Sequence, residues 1–247
     1  MKQMTAPYPT VQSNNLLAFL QPADLALIEH HCHECHLLNG DVIYRPGDNV
    51  EHCFFPTGSA MSAYLVEIED GISVETVLVG REGALGGVVS HGMLPAYARA
   101  AVLQEGRFLR IAMRDLEEAK RRSPAIANLF ARYADCVMAQ VFQSIACNAV
   151  HTIEQRAAKW LCAAVDRIGR NSVTMTQEQL ASMMGIGRSY ASRVLQRFKH
   201  DKLLRTRRGS IEVLDLAGLR RRACTCNERV DAHFHAVLGE IYLGPGS

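Results

Sequence analysis

A glycine turn between two amphipathic helical patterns, in residues 174–214, constrains this chain more than any other feature. Thr176 and Gln179 have capping-box spacing, which predicts the start of a helix. Residues 185–187 predict a tight turn, because Gly185 and Gly187 can adopt backbone angles that other residues avoid. A second helix is predicted from Arg188, with apolar residues at helical spacing. These residues are Ala191, Val194, Leu195 and Phe198. The segment therefore predicts a helix-turn-helix.

The opposite face of the second predicted helix carries side chains that hydrogen-bond to base edges or phosphates. Tyr190 either projects to the DNA backbone or packs under the helix. Thr176 and Gln177 lie at a helix N-terminus, a favourable place for a phosphate. Residues 204–211 predict a hairpin wing. Three of the four residues 205–208 are arginines, and their positive charges repel one another when no partner is bound. The expected DNA-binding residues are Thr176, Gln177, Arg188, Ser189, Ser192, Arg193, Arg207 and Arg208.

The charge distribution supports this interpretation. Residues 171–222 hold 11 Lys or Arg and 4 Asp or Glu, whereas the rest of the chain holds 16 basic and 21 acidic residues. A basic module on an acidic body is typical of a protein in which one domain contacts a polyanion. With 247 residues the chain is long enough for two domains. It has no apolar stretch long enough to cross a bilayer and no apolar secretion signal, so we expect a cytoplasmic protein that does not contact membranes.

The first half of the chain predicts a short helical start followed by strands. Residues 14–31 are rich in leucine, and Pro22 divides them into two short helices. From residue 40 to residue 111, turn signals such as those at residues 46–48, 56–58 and 70–71 separate short apolar runs. Many short strands at this spacing predict a sandwich or a barrel-like roll.

A long helix is predicted to follow the roll, starting at Ser123 and Pro124, a capping serine followed by a proline at the first helical position. It has apolar residues on more than one side, so it needs two packing partners. We expect one side to contact the roll and the other to contact a second copy of the chain, with residues Leu129, Tyr133, Val137 and Val141 forming the dimer helix. Burial within a single core is the alternative. Residues 151–166 predict the next helix after a very short linker.

The chain resembles the Crp/Fnr superfamily of bacterial transcription regulators over nearly its whole length. The resemblance rests on residues 40–48, 79–86, 176–185 and 208–211. It implies an α+β fold with a cyclic-nucleotide-binding-like β-roll, or jelly roll (residues 14–122), a dimerisation helix (123–150), a winged helix-turn-helix (151–226) and a C-terminal extension (227–247). It also implies a homodimer on double-stranded DNA with two-fold half-sites, and RNA polymerase as a partner. Many members carry glutamate where this chain has Ser189, so a non-standard half-site is expected.

The resemblance also implies an effector site in the roll. Members that bind cyclic AMP hold its phosphate with a Gly-Glu segment and a downstream Arg-Ser or Arg-Ala pair. This chain departs from both, and its Gly-Arg-Glu-Gly segment resembles an atypical subgroup with other effectors. Cyclic AMP is therefore not the expected ligand, and the effector is an unknown small molecule. The candidate effector-binding residues are Arg81, Glu82, Gly83, Ala84 and Arg99, although Arg99 could instead pair with a carboxylate.

Eight cysteines raise the question of a metal. Fumarate-nitrate-type members of the superfamily bind an iron–sulfur cluster through N-terminal cysteines. The segment 30–36 is dense in Cys and His, but its spacing differs from that pattern, and a strand would place its ligands on opposite faces. Cys32, Cys35 and Cys53 are thus weak metal candidates, Cys224 and Cys226 are weaker still, and neither an iron–sulfur cluster nor another metal is expected.

The combined expectation is a homodimeric, sequence-specific transcription regulator whose reading heads respond to an effector at the roll. The alternative is a ligand- or metal/redox-sensing module of the same fold whose DNA binding is weak or vestigial. An enzyme is not expected, because no Ser-His-Asp, metal-hydrolase or phosphate-loop pattern occurs.

Overall fold

The computed structural model describes residues 11–68, 72–88 and 94–239. The turn predicted at residues 70–71, part of the loop before Arg99 and the last eight residues of the predicted C-terminal extension lie outside these ranges. None of the helices in the described ranges is long and apolar enough to span a membrane.

The described part of the chain includes two short helices near its start, as the position of Pro22 predicts. A short 3-10 helix precedes α1, and Pro22 stands at the first position of α2, where its missing N–H costs nothing. Asn14 caps α1 by accepting a hydrogen bond from the Leu17 amide at 3.2 Å. The elements are Val11–Ser13, α1 (Asn15–Ala18) and α2 (Pro22–Glu29).

Two antiparallel sheets then form the β-roll. One has the order β1-β7-β3 and the other the order β2-β6-β4-β5, so every neighbouring pair except β4 and β5 comes from distant parts of the sequence. Buried side chains from both sheets fill the space between them, as in a jelly roll. The strands are β1 (His33–Leu37), β2 (Val42–Tyr44), β3 (His52–Pro56), β4 (Met61–Glu67), β5 (Ser73–Val79), β6 (Arg99–Gln104) and β7 (Gly106–Ala112).

A helical hairpin leads away from the roll. Helix α3 (Met113–Arg122) is followed directly by α4 (Pro124–Val150), the long helix that the sequence predicts. The Ser123 side chain accepts a hydrogen bond from the Ile126 amide at 3.2 Å, which confirms the predicted cap.

The C-terminal half is a winged helix-turn-helix. Helix α5 starts only two residues after α4, so the linker is as short as predicted. In the small sheet of this domain, β10 pairs with β8 on one side and with β9 on the other. The elements are α5 (Ile153–Ile168), β8 (Ser172–Thr174), α6 (Gln177–Met183), α7 (Arg188–His200), β9 (Leu204–Arg207), β10 (Ser210–Val213) and α8 (Leu216–Arg222).

The last helix, α9 (Cys226–Leu238), returns to the N-terminal half. It packs along α4, where the fully buried Phe234 makes an edge-to-face contact with Tyr133 at a centroid distance of 6.4 Å. His233 lies 2.7 Å from Asp135 on the same helix pair. The segment predicted as an extension therefore completes the core beside the long helix.

The winged helix-turn-helix is docked on its own roll. One buried cluster contains Met61, Leu65 and Leu78 from the roll together with Trp160 and Leu161 from α5. Polar contacts continue the interface, such as the 3.4 Å hydrogen bond from the Ser182 hydroxyl to the Ser73 carbonyl. The two halves thus share a core in this conformation.

Candidate nucleic-acid interface

The helix-turn-helix forms as its sequence predicts. The Thr176 hydroxyl accepts from the Gln179 amide at 3.1 Å, and the Gln179 side chain accepts from the Thr176 amide at 2.8 Å. Gly185 has φ +63°, a left-handed conformation that favours glycine in the turn. The apolar faces are buried, as expected, and include Leu180, Ala181, Ala191, Val194, Leu195 and Phe198.

Helix α7 presents its polar face to solvent. Arg188, Ser189 and Arg193 are exposed, and Ser192 is half-buried. Tyr190 projects outward, and the Arg193 guanidinium lies over its ring at 5.1 Å from the centroid. This contact orients the arginine by a cation–π interaction. The sequence pattern leaves the position of Tyr190 open, and the structure places it beside the exposed polar face of α7.

Ion pairs separate the arginines of this domain into two groups. Arg197 and Arg222 both bind Glu154, and Arg220 binds Asp166 at 2.6 Å. Within the described ranges, Arg188 and Arg193 form no ion pair, and both belong to the polar face of α7. Cations that no carboxylate neutralises are the ones available to phosphates and base edges.

The two predicted contacts at the start of α6 have different surroundings. Thr176 is exposed, but its hydroxyl is used by the cap. Gln177 is half-buried at the first helical position. The Thr176 amide also donates to Gln179, so of these two residues it is the Gln177 backbone amide that a phosphate would meet at this helix end.

The wing differs from the expectation in its charge balance. Glu212 on β10 accepts two hydrogen bonds from Arg205, both at 2.7 Å, and lies 3.2 Å from Arg207. The inference that the wing arginines lack a protein partner was therefore wrong for these two, because the antiparallel register places Glu212 directly opposite Arg205. In the described part of the chain Arg208, at the exposed tip, forms no ion pair.

The predicted effector segment is closed by the protein itself. Glu82 is buried and forms an ion pair with Arg167 of α5, with 2.8 Å between Oε1 and Nε. A Cβ added to Gly83 would collide with the Tyr133 hydroxyl, and that hydroxyl donates to the Ala84 carbonyl at 3.4 Å. The segment therefore has no room for a ligand above Gly83, because Tyr133 fills the space.

The other two candidate effector residues lie apart from that closed segment. Arg81 lies near Gly169 at the end of α5, where an added Cβ would be 3.6 Å from its guanidinium. Arg99 lines a separate cavity of about 210 Å³ between the roll and α6. Its Nε is buried there without a hydrogen-bond partner among the described residues. The five candidates thus do not form one site. The cavity is lined on the α6 side by Gln179, Ser182 and Met183.

The exposed apolar face of α4 is not the face predicted for the dimer. Leu129 and Tyr133 are buried within one chain, and Val137 and Val141 are half-buried against the roll core. The prediction was wrong for Leu129 and Tyr133, because the roll and α9 already cover that side. The large exposed apolar side chains of this helix are Met138, Phe142, Ile145 and Val150, of which the first three are 48%, 65% and 63% exposed.

The cysteines are distributed differently from the expectation. Cys53 is buried in the roll core, and Cys35 and Glu34 occupy opposite faces of β1, as strand alternation predicts. In the described ranges, the group of ligand atoms close enough to hold a metal is formed elsewhere, by Cys147, His151, Cys224 and Cys226. The sequence signal for it was a four-residue Cys–His spacing at the end of α4 and a distant Cys-x-Cys, each weak alone.

Comparisons with known proteins identify the C-terminal domain. Residues 155–222 match the family model described as the Crp-like helix-turn-helix domain. This range runs from the first turn of α5 to the end of α8 and includes the polar face of α7. No curated protein matches the chain in sequence.

Solved structures share the fold over most of the chain. FixK2 from Bradyrhizobium japonicum aligns with a TM-score of 0.66 at 14% identity, covering 78% of this chain and 98% of FixK2. A CRP-family transcriptional regulator from Thermus thermophilus gives 0.62 at 21% identity, with 76% and 96% covered. A crp/fnr-family regulator from Eubacterium rectale, described as putative, also gives 0.62, at 19% identity with 83% and 97% covered. The chain shares with these structures an N-terminal β-roll, a long helix and a C-terminal helix-turn-helix.

Proposed function

We propose that this chain is a sequence-specific, homodimeric DNA-binding transcription regulator rather than an enzyme. The observation that carries the proposal is the exposed face of α7, where Arg188 and Arg193 have no ion-pair partner in the described ranges while neighbouring arginines are paired. An arginine that is free to reach guanine O6 and N7 discriminates bases by about 1–3 kcal/mol. The match of this domain to a Crp-like helix-turn-helix supports the same conclusion.

The second subunit is proposed to bind along the exposed stripe of α4. Met138, Phe142 and Ile145 follow one another at intervals of four and three residues, the spacing of a helix–helix seam. Two copies packed through these residues would cover apolar surface that one chain leaves in water. A two-fold dimer presents two copies of α7, which matches half-sites about 34 Å apart on DNA.

The experiment that tests this function is selection of bound fragments from a random double-stranded DNA library by the full-length chain. We expect enrichment of one motif with two-fold symmetry and half-sites one helical turn apart. Recovery of fragments without any common motif would contradict the proposal. That result would favour a sensing module of the same fold with vestigial DNA binding.

For effector control we propose the cavity beside Arg99 rather than the closed segment at Glu82. A ligand there would touch both the roll and α6, so it would change the docking of the reading head. An anionic ligand is favoured, because the buried Nε of Arg99 has no hydrogen-bond partner in the described part of the chain.

Thermal unfolding with a panel of small anionic metabolites, cyclic AMP included, tests this site. A ligand that raises the melting temperature of the wild type but not of Arg99→Ala supports it. A ligand that stabilises both proteins equally would place the effector elsewhere. Arg81→Ala is the matched control, since Arg81 lies outside the cavity.

A further inference from the structure

Four metal-binding side chains meet where the long helix joins the DNA-binding domain. Cys147 lies in the last turn of α4, and His151 follows the end of that helix. Cys224 and Cys226 lie where α8 gives way to α9. Their ligand atoms all lie within 4.8 Å of one another. Two segments that are distant in sequence thus converge on one point.

We propose that these four side chains bind one Zn²⁺ ion. The Cys147 and Cys224 sulfurs are 3.6 Å apart, and the Cys226 sulfur is 3.5 Å from Nδ1 of His151. In a tetrahedral site with Zn–S bonds of about 2.3 Å and Zn–N bonds of about 2.0 Å, the corresponding edges are about 3.8 and 3.5 Å. Two of the six distances between ligand atoms therefore already match the edges of a zinc tetrahedron, and all six are within 4.8 Å. On binding, each thiol releases its proton to solvent as its sulfur–zinc bond forms.

The short distances favour a single ion over an iron–sulfur cluster. A cubane cluster binds each cysteine to a different iron, which requires sulfurs further apart than these. Cys147, Cys224 and Cys226 are 0%, 9% and 2% exposed. A closed site with four protein ligands is typical of structural zinc, because no position remains for water or substrate.

Groups around the four ligands suit bound thiolates. The Gln143 side-chain amide donates to the Cys226 sulfur at 3.2 Å. Lys159 lines the same small cavity as Gln143 and Cys226, and the Asn227 side chain fixes its backbone carbonyl at 2.9 Å. Three thiolates and one Zn²⁺ leave a net negative charge, which a nearby lysine offsets. Such surrounding hydrogen bonds orient metal ligands and tune affinity.

The location gives the ion a structural role. It would join the end of α4 and the two-residue linker to the turn before α9. Because α9 packs back along α4, the ion would fix the base of the DNA-binding domain on the dimer helix. Removal of zinc is expected to loosen this junction and lower the melting temperature.

Cobalt substitution of the full-length chain, purified with a reductant and stripped of metal, tests the proposal. We expect one Co²⁺ per chain, with the visible absorption of a tetrahedral site and sulfur-to-metal charge transfer, and displacement of cobalt by one equivalent of Zn²⁺. An octahedral spectrum without thiolate bands would overturn the site. Iron with inorganic sulfide at these residues, or a Cys147–Cys224 disulfide that persists with reductant and zinc, would also overturn it.

Variants assign the ligands. Cys147→Ser and Cys226→Ser should each weaken Zn²⁺ binding by at least about a hundredfold. Cys136→Ser is the matched control, because Cys136 is buried on the same helix and lies outside the cluster. Equal losses in Cys136→Ser and Cys147→Ser would contradict the assignment.

A labelling experiment on the wild type decides the question if those variants do not fold. Zinc should protect Cys147, Cys224 and Cys226 from alkylation, and a chelator should expose them. The half-buried Cys32 serves as the internal reference, with the same reactivity in both states. Unchanged reactivity of all three ligand cysteines on chelation would contradict the site.

Discussion

At the scale of single residues, the segment around Glu82 resembles a ligand site in sequence, but side chains from other elements fill it in the structure. The motif at residues 79–86 resembles a ligand cradle, and nothing within those residues excludes a ligand. Tyr133 of α4 fills the space above Gly83, and Arg167 of α5 pairs with the carboxylate of Glu82. Sequence alone could not reveal this, because both partners are at least 49 residues away along the chain.

The Glu82–Arg167 pair joins the roll to the DNA-binding domain. Both side chains are almost fully buried, so Arg167→Met should leave an unpaired carboxylate and cost about 3–5 kcal/mol of unfolding free energy. Urea unfolding followed by the fluorescence of Trp160, the only tryptophan, measures this change. The double variant Glu82→Gln/Arg167→Met should recover part of the loss. A double variant with the summed cost of both single variants would contradict the pairing.

At the scale of elements, the sequence correctly predicted the features that depend only on residues close together in the chain. The capping box at Thr176, the cap at Ser123 and the glycine turn each act within a few residues, and all three form as predicted. Helix α9 and the exposed face of α4 were missed for one reason. Which side of an apolar helix is covered depends on elements distant in sequence, here the roll and Phe234.

The exposed stripe of α4 gives a prediction about assembly. Phe142→Glu should convert a dimer to a monomer in sedimentation velocity, because the two-fold axis would bring two carboxylates together in an apolar seam. Tyr97→Glu is the control, since Tyr97 is 85% exposed on the roll and should leave the dimer intact. A Phe142→Glu protein that remains dimeric would exclude this face.

The wing gives a prediction about salt dependence. Arg208→Ala should weaken binding to all DNA sequences and lower the slope of log affinity against log salt by about 0.9 for each phosphate that is no longer neutralised. Arg205→Ala in the same hairpin should change the slope less, because Arg205 is engaged by Glu212. Equal changes in the two variants would show that the ion pair does not decide which arginine reaches the DNA backbone.

At the scale of the whole molecule, the helix-turn-helix is held on the roll of the same chain. The basic module and the acidic body are evident in the charge distribution, and the order of roll, long helix and helix-turn-helix is evident in the pattern of elements. The docking of the helix-turn-helix on the roll is not evident from the sequence, because Trp160 and Met61 come together only in the folded chain. The position of the helix-turn-helix relative to α4 is where the proposed effector and the proposed zinc ion would act.

The most direct test of the central claim compares DNA binding by Arg193→Ala and Arg197→Ala on the selected two-fold site. Fluorescence anisotropy should show at least about a tenfold loss for Arg193→Ala, with relaxed base preference at one position of each half-site. Arg197 lies one turn further along the same helix but is paired with Glu154, so Arg197→Ala should stay within about twofold of the wild type. Wild-type affinity and base preference in Arg193→Ala would contradict the claim that α7 reads the DNA.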